Sequence, residues 1–178
     1  MRKHKPIVSE QNKDSSMHVE ISTLAPNYQT AITNTASHYE LLVSFVKSQM
    51  LPGTDFGVIP GTNSKPVLLK PGAEKLCRLF SLRPQFDLIQ SVVNFDKPLF
   101  HYHYRCSLFR NGELTGQGDG NCNTLEQKYQ KQKYRVYDLC NTVCKMSQKR
   151  ALVAAVLVCC GVSEFFTQDV IEDERIEA

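Results

Sequence analysis

The chain has 178 residues, 42% hydrophobic and 22% charged, a balance that suits one globular domain with a core plus tails. Its net charge of +3 is unevenly spread: residues 126–150 carry seven Lys or Arg against two acids, a local +5, and residues 169–178 carry five acids against Arg175, a local −4. No apolar segment follows the basic start MRKHKP, the run ALVAAVLVCC at 151–160 is too short for a bilayer, and seven irregularly spaced cysteines argue for reduced thiols, so we expect a soluble cytosolic protein and no secretory signal, membrane span or disulfide framework.

Residues 1–34 are polar with little periodicity and are expected to form a flexible arm, with VEISTL at 19–24 able to add an edge strand. Residues 35–50 predict a helix, with Tyr39, Leu42, Val43, Val46 and Met50 at 3–4 spacing, a cap at Thr35 or Ser37 and a stop at Leu51-Pro52-Gly53. The Gly/Pro-punctuated stretch 54–66 reads as a loop. Its Asp55-Phe56-Gly57 lacks the other kinase motifs, and Gly61 to Lys65 lacks the ending of a phosphate-binding loop, so both are taken as turns. Residues 67–70 read as a short strand or as the lead into the next helix, at 71–80, with Leu76, Leu79 and Phe80 inward and Lys75 and Arg78 outward.

Three strands follow, at 86–94, 99–110 and 113–121. The second alternates strongly, with His101, His103 and Arg105 on one face and Tyr102, Tyr104 and Cys106 on the other. Asn111-Gly112 is a strong hairpin signal, and the whole reads as a β-meander. The third strand closes on Gly116, Gly118 and Gly120, which leave backbone open to close approach. Next comes a loop dense in Lys, Arg and Tyr, then the longest helix signal, 139–160. That helix has an apolar stripe from Leu139 to Cys160, a face carrying Lys145 and Lys149, and Gly161 as its cap. Arg150 falls on the apolar side, where it must snorkel, pair with an acid or meet a partner chain. The fold class expected is α+β, a βββα core with an additional N-terminal helix. Residues 35–168 form the domain and 169–178 an acidic tail.

Mobile cations, approachable glycines and a cationic helix suggest a surface for a polyanion, with nucleic acid first. The candidate DNA-binding residues are Arg105, Lys128, Tyr129, Lys131, Lys133, Tyr134, Arg135, Lys145, Lys149 and Arg150, with Gly116, Gly118 and Gly120 for backbone approach. The loop tyrosines read about equally as base-stacking residues or as structural ones, whereas at least one of Tyr102 and Tyr104 is expected in the sheet core. Histidines 101 and 103 with Cys106 raise a metal site, but no Cys-x2-Cys or His-Glu-x-x-His occurs, and no cofactor is expected. Asp119 among the glycines is more readily a turn residue than a catalytic carboxylate.

On KPGAEKLCRLF (70–80), the strands 86–94 and 99–106, GQGDG (116–120) and NTVCKMSQKRALVAAVLVCCG (141–161), the chain resembles single-strand annealing proteins of the Rad-fifty-two type and their phage Sak-like relatives. The resemblance covers about residues 36–161, and its sharpest motif is Lys149-Arg150-Ala151. It implies a βββα core that assembles into rings or helical oligomers. A positive groove would hold single-stranded DNA with its backbone inward and its bases free to pair. This chain departs in its long Tyr-rich loop at 123–138 and in a short tail without a separate partner-binding domain. The expected function is ATP-independent binding and annealing of single-stranded DNA in recombination or repair, by a nucleoid-associated homo-oligomer that is not an enzyme. The alternatives are a binding subunit of a larger nucleoprotein complex and, more remotely, a metal-dependent nuclease.

Overall fold

The computed structural model describes residues 15–58, 65–97, 99–130 and 136–168, with side chains from residue 27 onward. By internal contacts the chain divides into two units, 1–49 and 50–178. The described part of the first is one helix, α1 (Ser15–Gln49). The helix begins twenty residues before the position expected, and 19–24 lies inside it rather than in an edge strand. Nucleating a helix is costly once, while extending it adds a hydrogen bond per residue. The periodic segment at 35–50 therefore carries the weaker sequence before it into helix. Tyr28, Ile32 and Leu41 stay exposed along α1.

The second unit is the expected α+β core. A turn at 51–55 is tied by the Leu51 N–H donating to Asp55 Oδ2 at 2.7 Å and by Lys75 Nζ at 2.6 Å from the same oxygen. Asp55 is fully buried, and a side chain at Gly72 would run into its carbonyl, so Asp55 closes a structural turn, while Phe56 and Gly57, expected in that turn, continue as a strand. Strand β1 (Phe56–Gly57) pairs antiparallel with β2 (Val67–Leu68). Thr167 bridges to Val67, and Phe166 packs on Phe56 with ring centroids 5.3 Å apart, so the end of the described chain closes this small sheet. Helix α2 (Lys70–Leu79) buries Ala73, Leu76 and Cys77, whereas Leu79 is exposed, contrary to expectation. The helix stops at Ser81, which takes a left-handed φ of 54°.

Strands β3 (Arg83–Asn94), β4 (Leu99–Arg110) and β5 (Glu113–Asn123) form an antiparallel meander in that order. The turn into β4 is held by Asn94 Oδ1, which accepts from the N–H groups of Asp96 and Lys97 at 2.9 Å each. Asn111 and Gly112 both have positive φ, 54° and 86°, which fits the right-handed twist of the β4–β5 hairpin. A short helix α3 (Gln127–Gln130) and a 3-10 turn (Val136–Asp138) precede helix α4 (Leu139–Cys159), which ends at Gly161 with φ 64°. Helix α4 lies across β4 and β5. Phe100, Cys106, Leu108, Cys122, Val143 and Val156 are fully buried between them.

The α4 seam is made of small residues. Side chains added at Gly118 and Gly120 would strike the helix backbone at Ala155 and Ala151, and one at Gly116 would come within 3.0 Å of Cys159 Cβ. The buried Ser147 hydroxyl sits at 2.7 Å from the Gly120 carbonyl and 2.9 Å from that of Tyr102. The alternating glycines thus serve close approach, but of a helix of the same chain. This corrects the expectation that they admit a polyanion.

Candidate nucleic-acid interface

Helix α4 covers only two of the three strands. Every residue of β3 is exposed, and a groove of about 810 Å³ opens between α2, the start of β3 and the free flank of α4. Helix α2 contributes Lys70, Glu74, Cys77 and Arg78, which recur at i, i+4, i+7 and i+8 and so share one face. Lys145, Met146, Lys149 and Leu152 come from α4, and Leu82, Pro84 and Phe86 complete the floor. The floor is apolar and the rim cationic. Four cations, Lys70, Arg78, Lys145 and Lys149, face one acid, Glu74, which is 3.4 Å from Lys70. Among the described residues Arg78, Lys145 and Lys149 have no ion pair. Lys145 and Lys149, one turn apart, line the same groove. Lys70, Arg78 and Phe86 were not singled out from sequence, although the α2 spacing carries the signal.

The remaining candidates do not join this groove. Arg150, adjacent to Lys149, points to the opposite flank of α4. There it forms a bidentate pair with Glu126, Nη1 to Oε1 at 2.6 Å and Nη2 to Oε2 at 2.8 Å, and also donates to the Asn121 carbonyl. Burial works against charge on Glu126, but Arg150, Cys122 and Lys128 outweigh it and hold the carboxyl at about 2. Of the three options open to Arg150, the chain takes the acid partner. Lys128 lies 3.1 Å from the same carboxylate and 4.8 Å from the centroid of the Tyr129 ring.

Tyr129 is a correction. Its ring is buried with Phe100, Cys122, Leu139 and Val143, its hydroxyl 3.6 Å from Cys122 Sγ, so it is core and has no free face for a base. Burial, followed by that contact, raises its pKa. Tyr102 and Tyr104 also turn toward α4. Their hydroxyls meet Cys140 Sγ at 3.2 Å and Cys144 Sγ at 3.6 Å, and the Tyr102 hydroxyl is pushed up to about 12, first by the Cys140 contact and then by burial.

Arg105 lies on the sheet face away from α4, apart from Lys145 and Lys149. It grips Asp119 through Nε at 2.8 Å and Nη2 at 2.9 Å, with His103 Nε2 3.3 Å from the same carboxylate. The Arg105 hydrogen bond, with a smaller contribution from His103, holds the Asp119 carboxyl low despite burial. Both oxygens of Asp119 are therefore engaged, which fits a structural carboxylate. Lys131, Lys133, Tyr134 and Arg135 lie outside the described residues, as does the acidic tail.

Among the described residues no group of three or more His, Cys, Asp or Glu is placed to hold a metal, and no helix is long and apolar enough to cross a membrane. All seven cysteines are free, and burial pushes the thiols of Cys106 and Cys160 up to about 12. In comparisons with known proteins, the chain matches no family model and no curated protein.

Proposed function

We propose that this chain binds single-stranded DNA in the groove between α2, β3 and α4 and, as a homo-oligomer, anneals complementary strands without ATP in recombination or repair. The observation that carries the reading is the rim itself: Arg78, Lys145 and Lys149, without ion pairs among the described residues, stand over an apolar floor that includes the partly exposed Phe86. Cations in that state neutralise phosphates at little cost in broken pairs, and binding gains from released counterions. Phosphates held along the rim leave base edges free to test a second strand.

The oligomer is supported by β3. It is an edge strand of twelve residues with a bulge at Ile89, and it exposes Leu88, Ile89, Val92 and Val93. Edges of this kind are liabilities unless another chain or element covers them, and a second copy carries the same open edge. The test is annealing of fluorescent complementary oligonucleotides, run beside light scattering. With four rim cations the salt slope for single strands is about −3, so affinity falls about 50-fold between roughly 50 and 200 mM salt. A flat response to salt removes the electrostatic groove. Binding without annealing moves the protein to the class of passive nucleoprotein subunits, and metal-dependent cleavage of the oligonucleotide overturns the non-enzymatic reading.

A further inference from the structure

The described chain ends at Gln168, against the middle of α4. Gln168 Nε2 donates to the Arg150 carbonyl at 3.1 Å, one residue from Lys149. Just before it, the Thr167 N–H donates to the Pro66 carbonyl at 2.9 Å, and the Thr167 carbonyl accepts from Leu68 N–H at 3.0 Å, two residues from Lys70. The last described residues are therefore pinned between the strand that leads into α2 and the middle of α4, the two elements that bear the rim cations. Residues 169–178, DVIEDERIEA, carry a charge of −4, against a rim whose four cations and single acid give +3. Ten extended residues reach about 33 Å. Lys145 is five residues along α4 from the anchor at Arg150, about 7.5 Å. Charge, origin and reach all fit one occupant.

We propose that the segment 169–178 docks in the cationic groove of its own chain when no DNA is bound, so that DNA enters by displacing it. The inference rests on the groove being a polyanion site. It makes the tail an internal competitor that rejects weak polyanions and yields to a long strand with many phosphates. A short tether presents its end at an effective concentration on the order of millimolar. If the free peptide bound at about 100 µM, the tether would lower DNA affinity by about tenfold at low salt.

Two measurements on the full chain decide it. The first needs no DNA. A zero-length carbodiimide is applied to an equal mixture of unlabelled and nitrogen-15-labelled protein, and mass spectrometry should find tail carboxylates joined to Lys145 or Lys149 within chains of one label. Absence of these links, or links only between differently labelled chains, overturns docking in the same chain. The second replaces Asp169 and Asp173 by Asn and Glu172, Glu174 and Glu177 by Gln. This chain should bind oligothymidylate about tenfold more tightly than the parent at roughly 50 mM salt, and within about twofold at roughly 300 mM, where screening silences both. Equal affinities at low salt overturn the competitor role, as expected of a tail that only recruits another protein. If neither chain binds DNA at low salt, the DNA reading falls by itself, and the cross-links alone decide whether the tail docks.

Discussion

The two flanks of α4 show how one helix is sealed on one side and left open on the other. Toward β5, Gly116, Gly118 and Gly120 let the helix backbone settle onto the strand, and Arg150 is matched to Glu126 on both oxygens. Toward β3, the helix stops short of the strand, the strand is bare, and Lys145 and Lys149 face a groove. Lys149 and Arg150 are consecutive, and the 100° step of the helix sends them into these two settings. The difference teaches that positive charge in this chain is of two kinds. One kind is consumed in holding the fold, and the other has no ion pair among the described residues. Mutations on the closed flank should therefore cost stability, and those on the open flank should cost binding.

The largest effect is expected on the closed flank. In Gly118→Val the added carbons meet the backbone of Ala154 and Ala155, which cannot swing aside as a side chain does. The loss should be at least about 3 kcal/mol, at the severe end of overpacking, read as a fall in the urea midpoint. On the open flank, Val92→Thr removes no packing partner and should stay within about 0.5 kcal/mol. Equal losses at the two positions would mean that β3 is covered and the contrast between the flanks is wrong.

Much of this arrangement could be read in the residues, because the signals were local. The alternation of residues 101–106, the Asn111-Gly112 turn and the apolar spacing of α4 each act through neighbouring residues, and they place the meander, its two faces and the helix that covers it. What depends on distant packing was hidden. Gly116, Gly118 and Gly120 look alike whether a ligand or a helix approaches them, and only the register against Ser147, Ala151, Ala155 and Cys159 tells which. Tyr129 sits in a polar, basic stretch, yet one turn of α3 carries it into the core. Arg105 and Lys149 share a charge but stand on opposite sides of the sheet, and Lys70 and Arg78 meet Lys145 only because α2 packs near α4, about 70 residues later. Site membership here is a matter of face, and composition does not record faces.

The next effect belongs to the ion pair. Arg150→Ala leaves the half-buried Glu126 carboxylate to the more exposed Lys128 and takes a donor from the Asn121 carbonyl, so stability should fall by about 2–3 kcal/mol. Acid offers a second probe. The Glu126 carboxyl titrates near 2 in the folded chain, below its ordinary value of 4.5. Its contribution is therefore whole above about 4.5 and is lost as pH falls through about 2. Glu126→Gln should be less stable than the parent at neutral pH and should lose less on acidification. Asp55 and Asp119, also held low by their cationic partners, keep part of the slope in both chains. Parallel curves for parent and variant would show that Arg150 does not lean on this carboxylate.

The smallest change in stability, and the one that bears most on function, is expected at Lys149. Its side chain has no ion pair among the described residues, so Lys149→Ala should leave the urea midpoint within about 0.5 kcal/mol of the parent. Binding should respond instead. One fewer phosphate contact flattens the salt slope by about 0.7 and weakens affinity for every single-stranded sequence alike, by roughly threefold to tenfold near 100 mM salt. Lys145→Ala should do the same, since both line one groove, and the double variant should add the two losses in the logarithm of affinity. Arg150→Ala supplies the contrast: unfolding first, with the salt slope of the protein that remains folded unchanged. If Lys149→Ala binds with the parent's affinity and the parent's slope, the rim cations are solvated surface, and single-stranded DNA does not lie between α2 and α4.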